Sequence, residues 1–221
     1  MPRTIFIGDA QGCLTELREL VEEKIRPSTG DRVIMLGDLI NRGPDSAGVV
    51  RYVIENGFEC VMGNHEYRYV RRWNEPVWGG ADIHAILNED QRAWINALPF
   101  FIEEENFVAV HAGLLPGMTA AQTLASADGK RAIGQVRTIA ADGAWTSEHS
   151  APGGAPWWSF YRGKKPVFYG HWAEQGLALA RNDTYGLDTG CNYGRELSGY
   201  CLETGELFQV KARRNYVDPG K

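Results

Sequence analysis

Residues 4–25 read TIFIGDAQGCLTELRELVEEKI, and this stretch sets the plan for the first third of the chain. A short apolar run, Thr4 to Ile7, stops at Gly8-Asp9, after which Leu14, Leu17, Leu20, Val21 and Ile25 recur at helical spacing. That pattern is strand, loop, helix. It returns at Arg32 to Leu36, which ends in Gly37-Asp38 and leads through the loop Asn41-Arg42-Gly43-Pro44 to a helix from about Asp45 to Glu55. It returns again at Phe58 to Met62, ending in Gly63-Asn64 before a helix from Glu66 to about Trp73. Three consecutive strand-helix units predict a mainly parallel sheet with helices on its faces and right-handed crossovers.

Further along, Pro76 to Gly80 punctuates the chain, Glu89 to Leu98 reads as an amphipathic helix, and Phe100 to Glu103 with Phe107 to His111 reads as a hairpin. From Gly117 to Pro156 the patterning weakens. Ala-rich stretches at 119–127 and 130–142 read as helical and 152–156 as a Gly/Pro loop, and an insert or small lid over a pocket would sit here. Strand-like runs at 166–169, 177–180, 185–187, 197–202 and 207–210 predict a second, largely antiparallel sheet. Residues 1–214 are expected to form one domain and 215–221 a loose tail.

The 221 residues are 43% hydrophobic and carry a formal net charge of -5, with no basic run resembling a nucleic-acid arm. Strong nucleic-acid binding is therefore not expected. The sequence enters its first strand without a charged and then apolar leader, and no window approaches the roughly 18 apolar residues of a membrane span. The expectation is a cytoplasmic protein without a membrane partner. Four cysteines, at 13, 60, 191 and 201, form no CxxC pair and read as reduced, packed thiols.

Polar residues able to bind metal recur at the carboxyl ends of the predicted strands: Asp9 and Gln11 after the first, Asp38 after the second, Asn64 and His65 after the third, then His111 and His171. Such strand ends converge on a crevice in an open sheet. Carboxylate, imidazole and amide oxygen suit borderline or hard divalent cations, and the absence of a thiolate cluster argues against structural zinc. Two cations about 3.5–4 Å apart suit phosphoryl chemistry.

The runs Gly8-Asp9-Ala10-Gln11-Gly12, Gly37-Asp38-Leu39-Ile40-Asn41-Arg42-Gly43, Gly63-Asn64-His65-Glu66 and His111-Ala112-Gly113 resemble, in order, the four signatures of the phosphoprotein-phosphatase branch of the calcineurin-like metallophosphoesterases. Tyr169-Gly170-His171-Trp172 and Gly186-Leu187-Asp188-Thr189-Gly190-Cys191 resemble the carboxyl-terminal blocks of the bacterial symmetrical diadenosine tetraphosphatases, the ApaH-type enzymes. The resemblance implies a four-layer α/β/β/α sandwich with two divalent cations, manganese foremost and cobalt, magnesium or iron as alternatives. It implies that Asp9 and Gln11 bind the first metal, that Asp38 bridges both, and that Asn64, His111 and His171 complete the second site. His65 would protonate the leaving oxygen, and Arg42, with Asn64 and Arg68, would hold the phosphate. The implied reaction is in-line attack of a metal-held hydroxide on a dinucleoside polyphosphate, with diadenosine tetraphosphate giving two ADP.

Two positions depart from the broader family, which usually has His at 11 and Asp at 41. Glutamine is a neutral and weaker ligand than imidazole, so the first site is expected either to load poorly or to favour manganese or magnesium. Asn41 supplies no charge to His65, which suits a leaving group such as ADP, far less basic than a serine alkoxide. The other activities these residues admit are a Ser/Thr or Tyr phosphoprotein phosphatase acting on a phosphoprotein, a general nucleotide or RNA-end pyrophosphohydrolase, and a metal-poor scaffold without turnover.

Outside these motifs, His84 and His149 read as ordinary hydrogen-bonded residues; within the last block, Asp188 reads as orienting a ligand or satisfying backbone donors rather than binding metal, and Cys191 as packing. Arg137, Arg162, Lys164 and Lys165 read as solvated surface. Among Trp145, Trp157, Trp158, Phe160, Tyr161, Trp172 and Tyr193 any one could stack on a base, though most such aromatics are core.

Overall fold

The structure is a computed structural model that describes residues 2–71 and 86–217. The run from Pro76 to Gly80, the end of the third predicted helix at Trp73, and His84 lie outside the described residues. The three strand-helix units form as read. β1 (Thr4–Ile7), β2 (Arg32–Met35) and β3 (Glu59–Cys60) pair in parallel. They lead into α1 (Leu14–Glu19), which continues as a π-helical turn over Leu20–Ile25, into α2 (Ser46–Glu55), and into α3 (Asn64–Arg71). Asp45 caps α2 by accepting the Gly48 N–H at 2.7 Å.

After α4 (Glu89–Asn96) the hairpin β4 (Phe101–Glu103) and β5 (Val108–Val110) forms. α5 (Ala120–Ala125), α6 (Gly129–Gln135) and the short strands β6 (Thr138–Ile139), β7 (Trp145–Thr146) and β8 (Ala155–Pro156) follow. The chain closes with β9 (Val167–Tyr169), β10 (Thr184–Gly186), β11 (Glu196–Cys201) and β12 (Leu207–Lys211). The first sheet has the order β12-β11-β1-β2-β3 and the second β10-β9-β5-β4.

Two strand expectations are corrected. The second sheet is mainly parallel, because β9 runs parallel to both β5 and β10 and only β4 is reversed. The antiparallel carboxyl-terminal pair joins the first sheet instead, with Ile5 opposite Cys201 and Ile7 opposite Gly199. The run at 177–180 supplies only a bridge at Ala178, since Ala180 has φ 56° and turns the chain. The helix read across 130–142 ends at Gln135, and β-branched Thr138 and Ile139 pair with β7 and β8. Of the expected tail, residues 215–217 are described and are docked: Tyr216 donates its N–H to Asn192 O at 2.9 Å and its hydroxyl to Glu16 at 2.6 Å.

Strand alternation builds the layers. Ile5, Ile7, Val33 and Met35 face the helices and pack with Leu17, Leu20, Val49 and Val53. Phe6, Ile34 and Leu36 point the other way and meet Ala109 and Phe168 of the second sheet. Phe6 stacks on Phe168 with ring centroids 3.8 Å apart. Val108, Val110, Val167 and Tyr169 face outward onto Ile133, Ile139 and Trp157. The result is an α/β/β/α sandwich whose fourth layer is two short helices and a small sheet. Each fully buried aliphatic or aromatic side chain contributes about 1.5–3 kcal/mol of transfer free energy, so both sheets are fixed from both faces.

Candidate metal centre

The parallel strands of both sheets end at one place. Asp9, leaving β1, accepts the His171 N–H at 3.1 Å, although 162 residues separate them. Asp38, leaving β2, has Oδ2 at 3.3 Å from His111 Nε2 and 3.8 Å from His65 Nε2, while its Oδ1 accepts the His65 N–H at 2.9 Å. Asn64 Oδ1 lies 3.0 Å from His111 Nε2 and 2.8 Å from His171 Nδ1. One ligand atom each from Asp38, His111 and His171 fall within 4.8 Å of one another.

The electrostatics fit a cation. Asp9, Asp38 and Asp188 are 2%, 2% and 4% exposed. Burial pushes Asp9 well above the carboxylate range, with Asp188 and Asp38 adding to it, and pushes Asp188 up to about 6 despite the Gly190 N–H it accepts. Burial acts on Asp38 in the same sense, but His111 and His65 pull it well below its ordinary value. Burial lowers His171 strongly, with His111 and Arg137 contributing, and its Nε2 is buried without a partner. Mutually repelling buried carboxylates beside an orphaned ring nitrogen are relieved by a bound divalent ion, which favours ionised carboxylate and neutral imidazole together.

The loops are strained into this arrangement. Gln11, Asp38, Asn41, Arg42 and His171 all have positive φ, at 39°, 51°, 74°, 63° and 67°. For non-glycine residues such geometry costs on the order of 1 kcal/mol each, and it concentrates at functional sites. Two glycines permit the packing: a Cβ at Gly63 would collide with Asp38, and one at Gly170 with Asp9. Glu66 organises the second loop. Fully buried, its carboxylate accepts the N–H groups of Asp38, Leu39, Ile40 and Gly63 at 2.8–3.2 Å. Burial and the nearby Asp38 push its acid form up to about 7, while His111 and the backbone donors pull the other way.

Each of the residues singled out from the sequence lies in or beside this cluster. Asp9, Asp38, Asn64, His111 and His171 form its centre. His65 borders it, lowered by burial against the opposing pull of Asp38, with Asn41 Nδ2 at 2.9 Å from its Nδ1. Gln11 lies between Asp38 and Arg42. Arg68, one turn along α3, is near enough that its charge helps lower His65. Four further residues belong to the site's surroundings. Glu66 was visible only as the last letter of a motif, and Asp188 faces Asp9. Tyr193 accepts from Arg42, and Arg137, read as surface, reaches His171 O at 3.4 Å with a buried, unpartnered Nε. Of the aromatics, Trp157 is core at 1% exposure, whereas Tyr193 is half-buried beside Arg42.

The calcineurin-like phosphoesterase family model matches residues 2–192. A "bis(5'-nucleosyl)-tetraphosphatase, symmetrical" of Cellvibrio japonicus is 30% identical, with 93% of this chain and 97% of that one covered. A protein of the same name from Bordetella pertussis is 31% identical, with 96% of each covered. These alignments run over 268 and 274 positions against 221 residues here, so both relatives carry segments that this chain lacks. A crystal structure of a candidate diadenosine tetraphosphatase superposes with TM-score 0.84 at 29% identity, covering 96% of each chain. A protein serine/threonine phosphatase of Saccharomyces cerevisiae, at TM-score 0.58 and 14% identity over 96% of this chain and 79% of its own, shares the fold.

Proposed function

The chain belongs to the calcineurin-like phosphoesterases, metal-dependent hydrolases of phosphate esters and anhydrides, and from that premise we propose that it cleaves diadenosine tetraphosphate symmetrically into two ADP. The observation that carries the reading is the convergence of Asp9, Asp38, Asn64, His111 and His171 from five strand ends. Relatives named symmetrical tetraphosphatases support the substrate.

In this reading those five side chains hold two divalent cations, manganese first, with cobalt, magnesium and iron as alternatives. Such a pair supplies Lewis acidity to the phosphate oxygens and lowers the pKa of the attacking water. Arg42 holds the phosphate under attack, aided by Asn64 and more remotely by Arg68. Asn41 holds the His65 ring at Nδ1 and turns its Nε2 to the side facing Asp38. As imidazolium, His65 gives its Nε2 proton to the bridging oxygen as the bond from phosphorus to the departing ADP breaks, and is left as the neutral ring.

The neutral Asn41 favours the nucleotide over a phosphoprotein, because ADP leaves with less help from an acid than an alkoxide does. No helix among the described residues is long and apolar enough to cross a membrane. The test is hydrolysis of diadenosine tetraphosphate, a phosphopeptide and a triphosphorylated RNA under Mn2+, Co2+ and Mg2+. ADP as sole nucleotide product, dependent on cation and reduced about 100-fold in His65→Ala, is expected. ATP with AMP, or preference for either competing substrate, contradicts the reading.

A further inference from the structure

Gln11 joins the two working parts of this site. Its Nε2 donates to Asp38 Oδ2 at 3.3 Å and its Oε1 accepts from Arg42 Nη1 at 3.2 Å. A guanidinium has only donors and a carboxylate only acceptors, so one orientation of the amide satisfies both neighbours and the reverse satisfies neither. The side chain is 3% exposed, and its backbone is fixed as well: Gln11 N–H donates to Asp38 O, and Gly43 N–H donates to Gln11 O, both at 2.8 Å.

Arg42 Nη1 also donates to the Tyr193 hydroxyl at 2.6 Å, with the guanidinium carbon 5.4 Å from the Tyr193 ring centroid. Both N–H groups of Nη1 are thus taken up by the protein. Nε and Nη2 have no hydrogen-bond partner among the described residues. Those two groups form the edge of a guanidinium that matches two oxygens of one phosphate.

We infer that Gln11 is a positioning residue rather than a metal ligand: with Tyr193 it grips Arg42 by Nη1, presents the Nε and Nη2 edge to phosphate, and ties that grip to Asp38. The inference rests on the reading above of Asp38 as a cation ligand and Arg42 as the phosphate holder. It accounts for glutamine at this position. An amide offers a donor and an acceptor on neighbouring atoms, which spans a carboxylate and a guanidinium; a neutral imidazole carries its donor and acceptor on separate ring nitrogens aimed apart.

Gln11→Ala, Tyr193→Phe and the double variant should be compared with the unaltered protein by Mn2+ titration calorimetry and by inhibition with inorganic phosphate. The number of Mn2+ ions bound should stay the same in all four. The phosphate inhibition constant should rise about tenfold in Gln11→Ala, which removes bonds to both Arg42 and Asp38, and by a smaller factor in Tyr193→Phe, which weakens only the hold on Arg42. The double variant should fall short of the product, since both residues hold one nitrogen. Loss of one Mn2+ equivalent in Gln11→Ala, or unchanged phosphate inhibition in both single variants, overturns the inference. Arg42→Ala separates this from the underlying reading: if phosphate inhibition weakens there but in neither single variant, only the inference fails. If it is indifferent to Arg42 as well, the phosphate site itself has been misassigned.

Discussion

Asn41 Nδ2 lies 2.9 Å from His65 Nδ1, while the Asn41 Oδ1 is buried without a partner. The imidazole is therefore oriented by a neutral amide. Burial lowers the His65 pKa against the pull of Asp38, and among the described residues no carboxylate stands at its Nδ1. In Asn41→Asp the added charge favours imidazolium and raises that pKa. The protonated acid then persists to higher pH, so the alkaline limb of the kcat profile should move upward by about one unit. A profile that stays in place would separate Asn41 from the proton transfer.

Glu66 should be the most sensitive residue that touches no substrate. In Glu66→Gln one amide N–H set is turned against backbone N–H groups that now donate to the carboxylate. Leaving such donors unmet costs about 3 kcal/mol. For a chain of this size that lowers Tm by roughly 6–12 °C in a calorimetric scan. Asp38 and Arg42 share the loop, so kcat should fall together with stability.

The site can also be perturbed at a distance, as a control. Asp31 accepts from Arg3 through N, Nε and Nη2 at 2.7–3.0 Å and from Ser28. The Arg3 pairing, with burial opposing and Ser28 assisting, holds Asp31 below its ordinary pKa. A carboxylate depressed in the folded state contributes stability above its unfolded pKa, about 3.9, and loses it as pH falls through the folded value. Asp31→Asn should thus be less stable by about 1 kcal/mol at neutral pH, allowing for screening of the partly exposed Arg3. Urea midpoints of variant and parent should converge towards pH 2, with activity at neutral pH retained.

What could be read in the sequence was what short-range pattern encodes. Ile5 to Ile7 and Val33 to Met35 are buried on both faces, so they are apolar throughout and end visibly at Gly8 and Gly37. The partners of distant segments are not encoded that way. Residues 196–211 look like an antiparallel pair, which they are, but their alternation does not say that β11 lies beside β1, almost 200 residues earlier. Ala-rich composition hid the strand at Thr138 because helix propensity is weak beside tertiary pairing. Motifs brought the polar residues to the site, but they could not show what Gln11 faces, which depends on how two neighbouring loops fold together, nor that Tyr193 meets Arg42 from 151 positions away.

The central claim is that these loops close around two divalent cations with Asp38 between them. Anomalous diffraction from a crystal soaked in Mn2+ measures this directly. Two peaks per chain about 3.5–4 Å apart are expected. Asp38 should touch both, Asp9 one, Asn64, His111 and His171 the other, and Gln11 neither. A single peak, or peaks remote from Asp38, would contradict the account.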